Sequence, residues 1–287
     1  MRWIHLALAA LAVAGCDREL DVALTRQIEA QKLAADMRIQ LHRSAEAVQR
    51  AIMADTDEAS SDFVREAEAA TAVFETDRGA IELIVADIGS GEEKRLVQEL
   101  RSAFQKLRDL DRDLLALAVE NTNVKAQRLA FGPARASADA LRGHLDRAAH
   151  AAPPQNALRA QLLSAQVQLG VREIQALQAP HIAEPDDAVM TELEKQMAGS
   201  EAAARASLEE LSKLLGSNGA TELGAAREQL DRFAQTQREL LALSRANTDV
   251  RSLAVALGDK RTLTAACDAA LIALQGELAK HGSQATR

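Results

Sequence analysis

The side chains in this chain best suited to chemistry are its six histidines and two cysteines, and their spacing argues against catalysis. Di-iron sites in helical bundles need Glu-x-x-His pairs. The residues three before His42, His144, His150, His181 and His281 are Ile39, Leu141, Arg147, Gln178 and Leu278, so the pattern fails at each. His42 and Glu46 fall on one helical face, and His181-x-x-Glu184 sits at a break. Both read as solvated pairs, because a metal needs further converging ligands. No Cys-x-x-Cys-His run exists for a covalent haem, and no Gly-x-Ser-x-Gly elbow for a serine nucleophile. Carboxylates line every helical face, so proximity selects none. The chain therefore reads as a non-enzyme with no cofactor and no metal.

The cysteines differ from one another. Trp3 to Val13 is apolar apart from His5, and Val13-Ala14-Gly15-Cys16 follows directly. That tetrapeptide resembles the bacterial lipobox, where small residues admit a signal peptidase just before an acylated cysteine. The resemblance implies removal of residues 1–15, a diacylated Cys16 (palmitate-type chains) and a membrane anchor worth about 0.8 kcal/mol per buried methylene. A plain secretory signal and a membrane-spanning helix are the weaker readings, and the run is too short for the second to cross about 30 Å of hydrocarbon. Asp17 follows the cysteine, and by the enterobacterial sorting pattern it implies the periplasmic face of the inner membrane, with the outer membrane as the alternative. Cys267, flanked by Ala266, Ala269 and Ala270, reads as a buried structural thiol.

What positions these residues must be helical. Tyrosine is absent, the single tryptophan is Trp3, and alanine, leucine, glutamate, glutamine and arginine dominate. No alternating β-branched or aromatic run suggests a strand. The 34 basic and 42 acidic residues give a net charge of −8, and about −9 once Arg2 leaves with the signal. That excess disfavours nucleic acid and anionic lipid as partners.

Breakers recur at Asp55–Glu58, Gly89-Ser90-Gly91, Asn121-Thr122-Asn123, Pro153-Pro154, Pro180–Pro185, Gly216–Gly219 and Asn247-Thr248-Asp249. Asp55 with Glu58, and Ser90 with Glu93, have capping-box spacing. Leu100, Phe104, Leu107, Leu110, Leu114 and Leu117 advance as one apolar stripe. The chain also repeats at an offset of 126 residues: between 107 and 132, ten of 26 positions are identical without a gap. Asn121-Thr122-Asn123-Val124-Lys125 returns as Asn247-Thr248-Asp249-Val250-Arg251, and Gly132 as Gly258. The expectation is an all-α body of two tandem antiparallel four-helix-bundle units, 16–152 and 155–283, joined at Pro153-Pro154. Gly132-Pro133 is expected as a kink inside a helix.

A helix ending Leu-Leu-x-Leu, an Asn-x-x-Val turn and a following helix through Leu141, Leu145 and Ala148 resemble the four-helix-bundle sensor domain of bacterial chemoreceptors. The resemblance implies a periplasmic module that binds small ligands or ligand-loaded proteins. The chain departs from that family in lacking its signalling coiled coil and any match to its binding arginines. Arg43, Arg50 and Arg172 remain as residues that could face an inter-helix pocket. The repeated turns, Asn121, Thr122 and Lys125 with Asn247, Thr248 and Arg251, stand out as candidate polar recognition patches, or else as duplicated helix caps. The function expected is a membrane-anchored, sensor-like module for a small ligand or an envelope protein partner. A structural or assembly lipoprotein without a ligand is the alternative.

Overall fold

The computed structural model describes residues 22–280 in full, so Cys16 and Asp17 lie outside the described residues. The protein is all-α, and no strand occurs among the described residues. None of its described helices is long and apolar enough to cross a membrane.

The elements are α1 (Arg2–Ile52), α2 (Asp57–Ile88), α3 (Gly91–Glu120), α4 (Thr122–Leu129), α5 (Arg135–His150), α6 (Ala157–Ala183), α7 (Asp187–Leu215), α8 (Ala220–Ala246), α9 (Thr248–Val255) and α10 (Arg261–Ala285). One π-helical turn, Ala130–Ala134, links α4 to α5, and another, Ala256–Lys260, links α9 to α10. These turns are 126 residues apart, so the repeat preserves a backbone irregularity as well as side chains. Gly132-Pro133 lies inside the first and Gly258 inside the second. Pro133 has no amide hydrogen to donate into an α-helical ladder, and the widened turn absorbs that loss.

Two compact units result, one of Met1–Val119 with Ser252–Arg287 and the other of Glu120–Arg251. They are divided differently from the 16–152 and 155–283 units expected from the repeat. The first contains α1, α2, α3 and the α9–α10 stretch. The second contains α4–α5, α6, α7 and α8. Each unit thus takes its fourth helical stretch from the other copy of the repeat. The turns explain why. Only Asn121 separates α3 from α4 and only Asn247 separates α8 from α9, both in the left-handed region at φ 46° and 51°. An antiparallel helical hairpin ordinarily needs a loop of about two to five residues. A one-residue turn is too short to lay α4 back along α3. Pro153-Pro154, the expected junction, instead closes the α5–α6 hairpin within the second unit.

In the first unit, α10 runs antiparallel to α1: Arg38 Nε donates to Asp268 at 2.8 Å, and Gln27 Nε2 donates to the Leu278 carbonyl at 2.9 Å. Met37, Phe74, Ile81, Leu100, Phe104 and Leu271 form its larger apolar cluster. Phe74 and Phe104 stack with centroids 4.0 Å apart. Ala47, Val48, Ile52, Ala67, Leu114 and Ala118 form the smaller one. Ser60 ties the ends of three helices, donating to the carbonyls of Ala51 or Ala118 at 3.1 and 2.9 Å. The Ser90–Glu93 capping box forms, with Ser90 N donating to Glu93 at 2.6 Å and Glu93 N to Ser90 Oγ at 3.1 Å. The other expected box shifts by one residue: Thr56, not Asp55, caps α2 by accepting from Ala59 N at 3.1 Å. Thr56 holds the extended angles an N-cap requires.

The second unit buries Leu141, Leu145, Leu163, Ile174, Leu211 and Phe233 in one cluster, and Ala126, Ala130, Ile182 and Leu240 in a smaller one.

Candidate functional site

The repeated turns come together inside the second unit and bury one another. Thr122 N donates to Thr248 Oγ1 at 3.2 Å, and Thr248 N donates to Thr122 Oγ1 at 3.0 Å. Each threonine caps the other's helix, and the two hydroxyls lie 3.0 Å apart. Asn123 Nδ2 donates to Asn247 Oδ1 at 2.8 Å and to the Ile182 carbonyl at 2.6 Å. Asn247 Nδ2 donates to the Glu184 carbonyl at 2.9 Å. Of the six turn residues singled out by sequence, Asn121, Thr122, Asn247 and Thr248 are buried, Lys125 is half-buried and Arg251 is exposed. Lys125 Nζ caps the Glu120 carbonyl at 2.8 Å. The turns meet each other instead of offering two separate surface patches.

Beside this node His181 is fully buried, contrary to the solvated pair expected with Glu184. Its Nδ1 meets Ser244 Oγ at 2.8 Å and its Nε2 meets Glu194 Oε1 at 3.0 Å. Arg245 grips Glu194 through Nε at 2.7 Å, and its hydrogen bond is the main reason that carboxyl sits below the usual range. His42 likewise approaches Asp268, at 3.4 Å, rather than Glu46. Among the described residues no cluster of three or more histidine, cysteine or carboxylate groups could hold a metal.

The first unit carries the residues that sequence reasoning passed over. Between its two apolar clusters lies a polar layer with one residue from each helical stretch: Ser44, Thr71, Asp111 and Lys260. Ser44 Oγ and Thr71 Oγ1 are 3.0 Å apart. Lys260 forms an ion pair with Asp111, their side chains 6% and 13% exposed. Burial holds the Asp111 carboxyl above its ordinary range against the pull of Lys260. Burial also lowers the Lys260 ammonium against the pull of Asp111. Cys267, two helical turns on, is fully buried with its thiol pushed up to about 12, again chiefly by burial.

Both members were legible in one respect. Buried positions on α3 follow Leu100, Phe104, Leu107, Leu114 and Ala118, and Asp111, its side chain 13% exposed, falls on that stripe between Leu107 and Leu114, whereas Leu110 and Leu117 lie beside it. On α10 the same rhythm runs from Lys260 through Thr264 to Cys267, Leu271, Leu274 and Leu278. A charged residue on each of two core stripes, of opposite sign, was the available signal.

A groove opens on either side of this layer. One, of about 730 Å³, lies between α2 and α3 and is lined by Glu68, Glu75, Arg108, Asp109 and Asp111. Its four carboxylates are accompanied by Arg108 and Arg112, and Arg108 already pairs with Glu75 at 2.5 Å. The other, of about 420 Å³, lies between α1 and the bulged α9–α10 stretch. Ile52, Leu253, Ala256 and Leu257 line one end, while His42, Arg261, Thr264 and Asp268 line the other. Asp268 is committed to Arg38 and His42. Arg261 makes no ion pair among the described residues, and the buried Thr264 Oγ1 has no hydrogen-bond partner. An unsatisfied buried hydroxyl costs about 1–3 kcal/mol. Of the arginines considered from sequence, Arg43 and Arg50 pair with Glu66 at 3.5 and 3.0 Å, and Arg172 is exposed.

A scan against protein-family models finds no match to this chain, and no curated protein matches it in sequence.

Proposed function

We propose that this protein is a lipid-anchored helical module of the bacterial cell envelope, held through Cys16 on the periplasmic face of a membrane, that binds a small ligand in its first unit. The carrying observation is the 420 Å³ groove between α1 and α9–α10. Its size lies in the range of about 300–1,000 Å³ usual for small-ligand sites, and it has the apolar wall and few polar groups such sites share. The π-helical turn supports the reading, since such turns are frequent at functional sites. The anchoring part draws on Val13-Ala14-Gly15-Cys16 alone.

Two measurements test this. A thermal-shift screen of the full chain against amino acids, organic acids and metals should yield at least one stabilising ligand, because binding at 100 times Kd adds about 2.7 kcal/mol. The Cys16→Ser variant should leave the membrane fraction after a high-salt wash. A membrane-retained Cys16→Ser protein would remove the anchor. A screen without any stabilising compound would favour the assembly lipoprotein instead.

A further inference from the structure

The groove beside Lys260 is asymmetric along its length. The packing of the α9–α10 stretch on α1 sets Ile52 toward Leu253, Ala256 and Leu257 at one end, and His42 toward Thr264 and Asp268 at the other. Leu253 and Leu257 remain 40% and 59% exposed, although they border a concave surface. The first end is walled by these apolar side chains, with Gln49, one turn before Ile52 on α1, as its one polar lining residue.

Charge decides what the second end accepts. Asp268 accepts from Arg38 at 2.8 Å and faces His42 at 3.4 Å, so its carboxylate is already neutralised. Lys260 is matched by Asp111. That leaves the guanidinium of Arg261 as uncompensated positive charge. One helical turn away on the same face is Thr264, whose hydroxyl is buried and unpartnered. A guanidinium fork and a hydroxyl donor together suit a carboxylate, which accepts several hydrogen bonds and needs a cation. A ligand cation would gain only the shared Asp268.

We infer that this groove binds an amphipathic monocarboxylate, its carboxylate on Arg261 and Thr264 and its unbranched apolar tail along Ile52, Leu253, Ala256 and Leu257. This inference rests on the ligand-binding reading above and specifies its ligand class. Burying such a tail is driven by removal of apolar surface from water. The charge sets its direction in the groove.

The test is titration calorimetry and thermal shift on the full-length Cys16→Ser chain, with octanoate, its methyl ester, octylamine and butyrate as probes. Octanoate should raise the melting temperature, the ester and the amine should not, and butyrate should bind more weakly through its shorter tail. Arg261→Gln should weaken octanoate by about tenfold, the usual loss for one charge-assisted hydrogen bond. Leu257→Glu should weaken it at least as much. Both positions are exposed, so the variants should melt like the parent without ligand; Arg172→Gln in the second unit is the control. Octanoate binding that survives both substitutions would overturn the site. Stabilisation by amino acids or metals with none by octanoate would overturn the ligand class but keep the binding module. No stabilisation by any compound would overturn both.

Discussion

The two units share a π-helical turn at the same offset of the repeat and differ in what surrounds it. Each has a π-helical turn in its repeat-derived fourth stretch, and the last residue of that turn faces the core: Ala134 in the second unit, Lys260 in the first. The partner positions follow the same offset of 126, Gln237 against Asp111. In the second unit Gln237 accepts from Gln178 at 2.6 Å and donates to Met197 Sδ at 3.0 Å, so the layer is neutral and internally satisfied. In the first unit the layer is ionic, and grooves of about 730 and 420 Å³ border it. A pocket beside Leu141 and Val171 in the second unit holds only about 40 Å³. The π-helical turn thus borders a neutral, hydrogen-bonded layer in one unit and an ionic layer flanked by two grooves in the other.

The largest effect expected from this comparison concerns chain continuity. The second unit is one uninterrupted stretch, while the first is assembled from two separated ones. Residues 120–251 expressed alone should unfold cooperatively in urea. Residues 155–287 should not, because they lack α4, α5 and the π-helical turn between them, a stretch that supplies Ala134, Leu141 and Leu145 to that core. A cooperative transition for 155–287 would restore the tandem division suggested by the repeat.

Next in size is an exchange of the two layers. Lys260→Met strands a buried carboxylate and should cost about 3–5 kcal/mol, and Lys260→Met with Asp111→Leu should recover that loss or exceed it. Both ionisation shifts point the same way: burial raises the carboxyl and lowers the ammonium, so each charge is held at a cost. Ala134→Lys in the second unit should destabilise by several kcal/mol, of the order of an unpaired buried charge, and Gln237→Asp should partly rescue it. Denaturant midpoints of the full chain and of 120–251 separate the outcomes. A single Lys260→Met that costs under about 1 kcal/mol would show the pair to be solvated.

The all-α class was legible because composition and period agree along the whole chain. The turn at Asn121, the kink at Gly132-Pro133 and the Ser90–Glu93 box were readable for the same reason: each is set within a few residues. What escaped was set at long range. The Asn-Thr turns read as hairpins because asparagine and threonine cap helices, but how far the chain turns depends on the number of residues between helices, here one. That single residue redirects α4 and α9 and so exchanges fourth helices between the copies. Asp111 escaped because leucines at 110 and 117 offered an equally regular stripe, and only the partner Lys260, 149 residues away, explains a carboxylate in the core. His181 looked solvated because its partners Glu194 and Ser244 lie on other helices.

The smallest effect belongs to the node where the repeats meet, and it is a matter of coupling rather than size. Thr122 and Thr248 each cap the other's helix and also share a hydroxyl–hydroxyl hydrogen bond. Thr→Val preserves shape and removes the oxygen, so either single change should cost about 1 kcal/mol, the usual loss of an N-cap. A single substitution already breaks the shared bond and leaves one cap. The second substitution then removes only that remaining cap. The double variant should therefore cost less than the sum of the singles, by about 0.5–1 kcal/mol, the size of coupling found between residues in one network. Strict additivity in a double-mutant cycle on 120–251 would mean that the two caps act independently and that the symmetry of the turns carries no energetic weight. Coupling of the expected sign would show that the second unit is stabilised where its two sequence repeats meet, as distinct from the first, whose special layer lies where its four helical stretches surround Lys260.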